Sequence, residues 1–472
     1  MTDARAALPP RWMLISVAIG VYAALVSAAP SPAAGALLAA PLALAAVVWW
    51  TLAKPYRWTG AFIAAAILLP PLPVQLGNSG PHPSLVFAAL GVLAGVFYIR
   101  DWHIIAGPLE RALICLFLIL LASSGLAAFY SGPDLAAQTV ARVLLFGIGV
   151  YLYFYAAYVR SGAAPPPVQP LFWAAVASAA IACVDFYYQL PAPAGFGPQF
   201  VWLDTGAYYR RAQGIFYEAS TLGNFCACFL IMIAVAFTRA RKDAFVPRPA
   251  LLAGGVLFSA ALLFSYSRSS ILNLLVALAT LVWIDRARIR WQRAIPLLAI
   301  SVAAGAAASY YFLPRLVETA WMRLSGSVLY FSDYGEAIFS GRFESWRLLM
   351  QFLSAHPWHV IFGIGYKTLP YSDYIGQTVI GDNMYLSMLV ETGVVGLAAL
   401  IWLNLAILRT AWRAAKNASP TASFLGTWMF CFWTGQLFQM FSADLLTYWR
   451  VLPVYFLVLA CAVREGRRTS AQ

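Results

Sequence analysis

The chain has 472 residues, 62% of them hydrophobic and only 10% charged, with a formal net charge of +13. Soluble globular domains carry about 25% charged residues, and no protein core can absorb this much apolar surface, so a soluble fold is excluded. The basic excess does not point to nucleic acid either, because it alternates between loops instead of forming a continuous stripe.

Apolar runs of roughly 20 residues recur along the chain, each long enough to cross a bilayer. In order they predict spans at 12–29, 34–53, 58–73, 84–99, 109–130, 136–159, 170–190, 215–238, 249–266, 269–285, 294–313, 383–408, 421–441 and 451–463. The short runs at 58–73 and 451–463 suit tilted or partly interfacial helices. The expected fold is therefore all-α: a polytopic helical membrane protein with about 12–14 transmembrane helices, a single integral domain over 1–472. Arg5, Arg11 and Ser27-Ala28-Ala29 give the first run the shape of a signal peptide. Pro30 would stand at the cleavage point, and further spans follow, so this run is read as a retained helix.

Of 31 Lys and Arg, 21 fall in one set of alternate loops, from Arg5 and Arg11 through Arg239, Arg286 and Arg413 to Arg468. By the positive-inside rule this set is cytoplasmic, and so are both termini. Three segments then face the other side: 191–218, the corner Ser265–Ser270, and a long loop at 314–382 containing Arg315, Arg323, Arg342, Arg347 and Lys367. The six cysteines all lie within apolar runs. Cys226 and Cys228 point to different faces of one helix, so small buried hydrophobes are expected, not a metal clip.

The stretch 341–396 is too polar at its start to cross a bilayer and ends in a run that can. Phe343, Trp346, Leu349, Phe352 and Leu353 share one helical face, with Arg342, Glu344, Arg347 and Gln351 on others. Pro357 stops that helix just after His356. Gly363 and Gly365 open a polar loop with Lys367, Tyr371, Asp373 and Tyr374, and a new helix begins at Asp382-Asn383. An amphipathic helix above a polar loop is expected to roof a site.

Candidate chemistry gathers on that side. Arg268 sits in a Ser-rich corner at the membrane boundary, where an ionisable group costs a few kcal/mol unless paired or hydrated. It is either a snorkelling anchor or an anion clamp, since guanidinium binds phosphate bidentately. Arg210 and Arg211 share the choice between anchoring and anion binding. Asp382 is either the N-cap of its helix or a general base at a polar–apolar boundary. Glu218 and Glu344 are further acids there, and Glu391 lies deeper, beside Gly393 and Gly396. His356 and His359 can titrate but suit loop packing. There is no Asp-x-Asp pair and no Gly-x-Gly-x-x-Gly, and Tyr366 interrupts the partial P-loop Gly363-Ile-Gly-Tyr-Lys-Thr368. No nucleotide, cofactor or metal site is expected. A phosphorylated lipid carrying a sugar fits the arginines, carboxylates and 15% aromatic content.

The series GRFESW, HPWHVIFGIGY and DNMYLSMLVETGVVG, preceded by FYEAS (216–220) and SYSRSS (265–270), resembles the O-antigen ligase and polymerase superfamily. The resemblance implies an inverting, metal-independent glycosyltransferase of the bacterial inner membrane. Its donor would be an oligosaccharide on undecaprenyl pyrophosphate, taken at the periplasmic face. It implies Arg211 and Arg268 at the pyrophosphate, with Arg342 as a third candidate, and Asp382 at the acceptor hydroxyl; Arg210 is a further candidate for the pyrophosphate, and Asn383 and Tyr385 are other candidates beside Asp382. The acceptor would be a growing glycan or lipid A-core, and a chain-length regulator would be a further partner. Ligases of this kind place His immediately before the Asn; Asp382 stands there instead, which favours a repeat-unit polymerase over an O-antigen ligase. The more distant alternative is a lipid or polysaccharide transporter. That class shows repeats and polar residues deep in several spans, whereas here polar residues gather on one side, with Asp185 the main exception.

Overall fold

A computed structural model describes residues 31–54, 56–72, 80–159, 166–193, 195–202, 208–239, 245–286 and 342–470, with scattered positions between 17 and 29. The span expected at 294–313 and the loop residues Arg315 and Arg323 lie outside the described residues. What is described is 76% helical with almost no sheet.

Prolines and small polar caps set the helix starts. Ser31 opens α1 (Pro32–Ala53), its hydroxyl accepting from the Ala34 amide at 3.2 Å. Helices α2 (Arg57–Leu68) and α3 (Ser84–Phe97) follow. Pro108 begins α4 (Pro108–Ser131), and Pro133 begins α5 (Pro133–Tyr158), at the position where a missing amide hydrogen costs nothing. Next come α6 (Val168–Tyr188), the antiparallel pair β1 (Phe200–Trp202) and β2 (Tyr208–Arg210), and α7 (Ala219–Thr238). The run expected to be helical from 215 starts later, because Gly214 and Tyr217 both take positive φ in a short 3₁₀ turn. Helices α8 (Arg248–Phe264) and α9 (Arg268–Asp285) flank the serine corner.

Beyond the undescribed stretch come α10 (Arg342–Ala355) and α11 (Pro357–Phe362), parted at His356 as Pro357 predicts. The chain ends in α12 (Met384–Ala415), α13 (Pro420–Gln439) and α14 (Leu452–Ser470). Among the described residues, six helices are long and apolar enough to cross a membrane: α4, α5, α6, α7, α9 and α12. Helices α2, α3 and α8 are shorter and apolar, as is the Leu38–Ala53 part of α1. Large apolar side chains stand outward, Phe129 at 81%, Val256 at 71% and Trp283 at 62% exposure. Such a surface belongs in lipid, and the chain is an integral membrane protein.

Helix α13 is the axis of the bundle, packed against α7, α9, α12 and α14. Trp428, Cys431, Phe432, Gly435 and Gln436 bury it on nearly every face. A helix that meets only protein can carry amides that a lipid-facing one cannot. A second, smaller core lies at one end, where Leu349, Phe352 and Leu353 of α10 pack on Ile364, Leu369, Val379 and Val390. This roof buries Leu349, Phe352 and Leu353 of the face expected over 341–355, whereas Phe343 of that face stands 41% exposed.

Helix α12 is broken at Gly393 (φ 69°, ψ −172°). A side chain there would lie 2.0 Å from the Ile361 carbonyl oxygen, and one at Gly363 would lie 2.3 Å from the Glu391 carbonyl carbon. The two glycines thus let the roof loop press against the break. That loop supplies the missing partners: the Ile364 and Gly365 amides donate to the Val390 and Glu391 carbonyls at 3.1 and 2.8 Å. Backbone freed inside a membrane protein must be satisfied within the protein, and here it is.

Candidate active site

The site is built where α7, α9, α10 and α12 begin. Strand β2 delivers Arg211 to the serine corner, where its Nε donates to the Ser265 carbonyl at 2.8 Å. The Ala212 amide donates to the Phe264 carbonyl at 2.8 Å and fixes the same approach. Ser267 and Ser270 hydroxyls lie 2.8 Å apart beneath the first turn of α9, which Arg268 opens. From the roof, the Arg342 Nε donates to Asp382 Oδ2 at 3.0 Å. Arg211, Arg268 and Arg342 lie within electrostatic reach of one another. Burial, above all, lowers the Arg211 pKa from its ordinary value; Tyr448 and Glu218 favour its charge, and Arg342 and Arg268 oppose it. It remains a cation, as arginine does.

Asp382 does not cap its helix. Asn383 does, its Oδ1 accepting from the Tyr385 and Leu386 amides at 3.0 and 3.1 Å. The capping alternative for Asp382 is thereby replaced: the residue one position later reaches the free amides, and Asp382 is left facing Arg342. Tyr385 donates to the Leu437 carbonyl at 3.0 Å.

Arg210 parts from its neighbour. Alternation along β2 sends it to Asp185, 3.2 Å away, and to the Leu190 carbonyl. Glu344 stands exposed on α10. His356 is exposed and stacks on Phe352, while buried His359 contacts the Tyr374 hydroxyl and the Gly363 carbonyl, each at 3.2 Å. Both histidines serve the roof's packing. Glu218 does join the arginines. Its Oε2 accepts from the Thr221 hydroxyl at 2.5 Å, and burial raises its pKa against the pull of Thr221, Lys367 and Arg211.

Two features were not anticipated. Lys367 reaches from the roof loop to Asp444, in the segment between α13 and α14, and forms a buried ion pair. Burial works against the lysine's charge, but Asp444 and Glu391 outweigh it and leave the amine above its usual value. Glu391, at the break in α12, accepts from the Leu369 amide at 3.3 Å, and its Oε2 is buried with no hydrogen-bond partner. Tyr448 completes the floor, its phenol pushed up by burial and by Glu218 and Asp444. Lys367 and Asp444 stand 77 positions apart in sequence, so no local pattern could have joined them.

The second feature corrects the expectation that polar side chains keep to one end. Asn224 of α7 and Asn273 of α9 each donate to both Gln436 and Gln439 of α13, at 2.7 and 2.8 Å. Tyr455 of α14 donates to Asn224 at 2.6 Å, and Gln439 donates to Ser270 at 3.1 Å. A buried amide ladder thus runs from mid-bundle to the serine corner on which Arg211 rests. Among the described residues, no group of three His, Cys, Asp or Glu is placed to hold a metal ion.

Residues 253–401 match the family model described as O-antigen ligase. Over these residues the chain is similar to the O-antigen ligase family. The O-antigen ligase match runs from α8 into α12, so it includes the serine corner, Arg268, Arg342, Lys367 and Asp382, and leaves Arg211, Glu218 and Asp444 outside. The family is one of membrane glycosyltransferases of the O-antigen ligase and polymerase type. No curated protein matches the chain.

Proposed function

We propose that the protein is an inverting, metal-independent glycosyltransferase of the bacterial inner membrane, taking glycan units from undecaprenyl pyrophosphate at the periplasmic face and polymerising repeat units of an O-antigen or exopolysaccharide. What supports this is one observation. Three guanidiniums, from β2's end, α9 and α10, lie within electrostatic reach of one another despite their mutual repulsion. Like charges gathered in a partly dry place favour a polyanionic ligand, and a pyrophosphate leaving group gains most where its charge develops.

Asp382 is held by Arg342, one of the three. An arriving pyrophosphate competes for that guanidinium and releases the carboxylate. The acceptor hydroxyl then loses its proton to Asp382 as its oxygen bonds to the anomeric carbon. The bond from that carbon to pyrophosphate breaks on the opposite face, and the lipid pyrophosphate leaves as the anion held by the arginines. Attack opposite the leaving group inverts the configuration.

The family description favours a second reading, transfer to lipid A-core by an O-antigen ligase. The Asp at 382, where ligases of this kind carry His, favours the polymerase. The test incubates purified protein with lipid-linked oligosaccharide, with and without lipid A-core, and reads products by gel mobility. A ladder formed without lipid A-core is expected, and it persists in EDTA. Product only with lipid A-core makes the protein a ligase, and no product in either arm removes the transferase reading.

A further inference from the structure

A second basic site lies at the far end of the bundle from the arginine rim. The start of α4 and the ends of α12 and α14 enclose a cavity of about 340 Å³, within the usual range for ligand sites. Arg413, Arg467 and Asn417 line its polar side, and the buried Leu109 and Ala462 line its apolar side. The neighbouring segment exposes Ile104 and Ile105, so the mouth lies where apolar surface meets the basic end of the bundle.

The two guanidiniums are held differently. Arg467 is pre-organised: it lies 4.5 Å over the Tyr158 ring and donates to the Tyr158 hydroxyl at 2.5 Å. Arg413 is exposed and forms no ion pair with any described residue. The cavity also contains Glu110, whose Oε1 accepts from Tyr153 and Tyr158 at 2.7 and 2.5 Å and lies 3.9 Å from Arg467. Two cations against one carboxylate leave a single positive charge. That balance matches a monoanionic phosphodiester, with Arg413 as the principal partner, Asn417 as a neutral donor and the apolar wall beside the glycerol. Basic pockets between membrane helices take lipid headgroups by this chemistry.

We propose that this cavity binds the phosphate of an anionic membrane phospholipid. The site is independent of glycan transfer and is tested without it. The full chain is purified into nanodiscs of phosphatidylcholine, and a fluorescent phosphatidylglycerol is titrated in, with inorganic phosphate as a separate arm. Saturable binding is expected, weakened about tenfold by Arg413→Gln, the scale of one charge-assisted hydrogen bond. Arg111→Gln is the control, because Arg111 lies exposed at the same end and outside the cavity. Phosphatidylglycerol is expected to raise the melting temperature of the wild type and not of Arg413→Gln, a readout that separates lost binding from lost folding. Competition by millimolar phosphate alone would assign the same site to free phosphate instead of lipid and overturn the lipid proposal. Equal weakening by Arg111→Gln, or no preference for phosphatidylglycerol, reduces the effect to general surface attraction and also overturns it.

Discussion

Two ion pairs cross the candidate site, and they differ in what surrounds them. Arg342 and Asp382 meet at the rim with side chains 27% and 44% exposed, whereas Lys367 and Asp444 meet beneath the roof at 11% and 9%. A half-exposed pair can be opened by a ligand at little cost, because water and salt already screen it. A buried pair cannot lose one partner without leaving a desolvated charge behind. The rim pair is thus suited to exchange partners during a reaction cycle. The floor pair is suited to hold the roof loop against the segment carrying Tyr448.

The largest expected effect breaks the floor. Lys367→Met strands Asp444 and is expected to cost about 3–5 kcal/mol, read as a lowered thermal midpoint in detergent. Lys367→Met combined with Asp444→Leu is expected to recover most of that loss, since a packed apolar pair replaces the charges. If the double variant stays as unstable as the single, the pair does more than join two segments.

At the rim, Asp382→Asn is expected to keep the thermal midpoint, because Asn383 carries the cap. Turnover is expected to fall about 10²- to 10⁴-fold, the range for a lost general base, while donor binding is held or tightened as Arg342 loses its competitor. Full turnover in this variant moves the base elsewhere, with Glu218 next in line. Arg268→Ala is expected to lower transfer by about 10- to 100-fold, from the loss of about 1.5–3 kcal/mol of charge-assisted bonding. Arg268→Lys is expected to recover only part, because a point charge lacks the bidentate fork. Unchanged transfer in the alanine variant would falsify the clamp at that position.

The smallest effect concerns Glu218, between rim and floor. Its folded pKa is raised, so its contribution to stability is complete at low pH and is lost as pH rises through the folded value. Glu218→Gln removes that loss. The thermal midpoints of variant and wild type are expected to agree in acid and to separate in the variant's favour as pH rises. A difference that stays constant across the titration would place the effect in packing and not in the charge.

Much of this was legible from the chain alone, because membrane helices are written in composition. Apolar runs set most of the spans, Pro357 parted α10 from α11, and the period of 342–355 marked the face that now packs in the roof. Arg211, Arg268 and Asp382 could be singled out because charge at a lipid boundary is costly wherever it falls in the fold, and Arg342 through the family resemblance. What the sequence could not settle depended on distance across the bundle. Only the tertiary structure sends Arg210 to Asp185 and Arg211 to the serine corner, since strand alternation parts adjacent residues. It also gives the cap to Asn383, a choice between neighbours fixed by which side chain reaches the free amides. The Lys367–Asp444 pair and the amide ladder of Asn224, Asn273, Gln436 and Gln439 joined residues up to 215 positions apart. Local periodicity carries no trace of such contacts, because it reports which face of a helix is buried and not which side chain it is buried against.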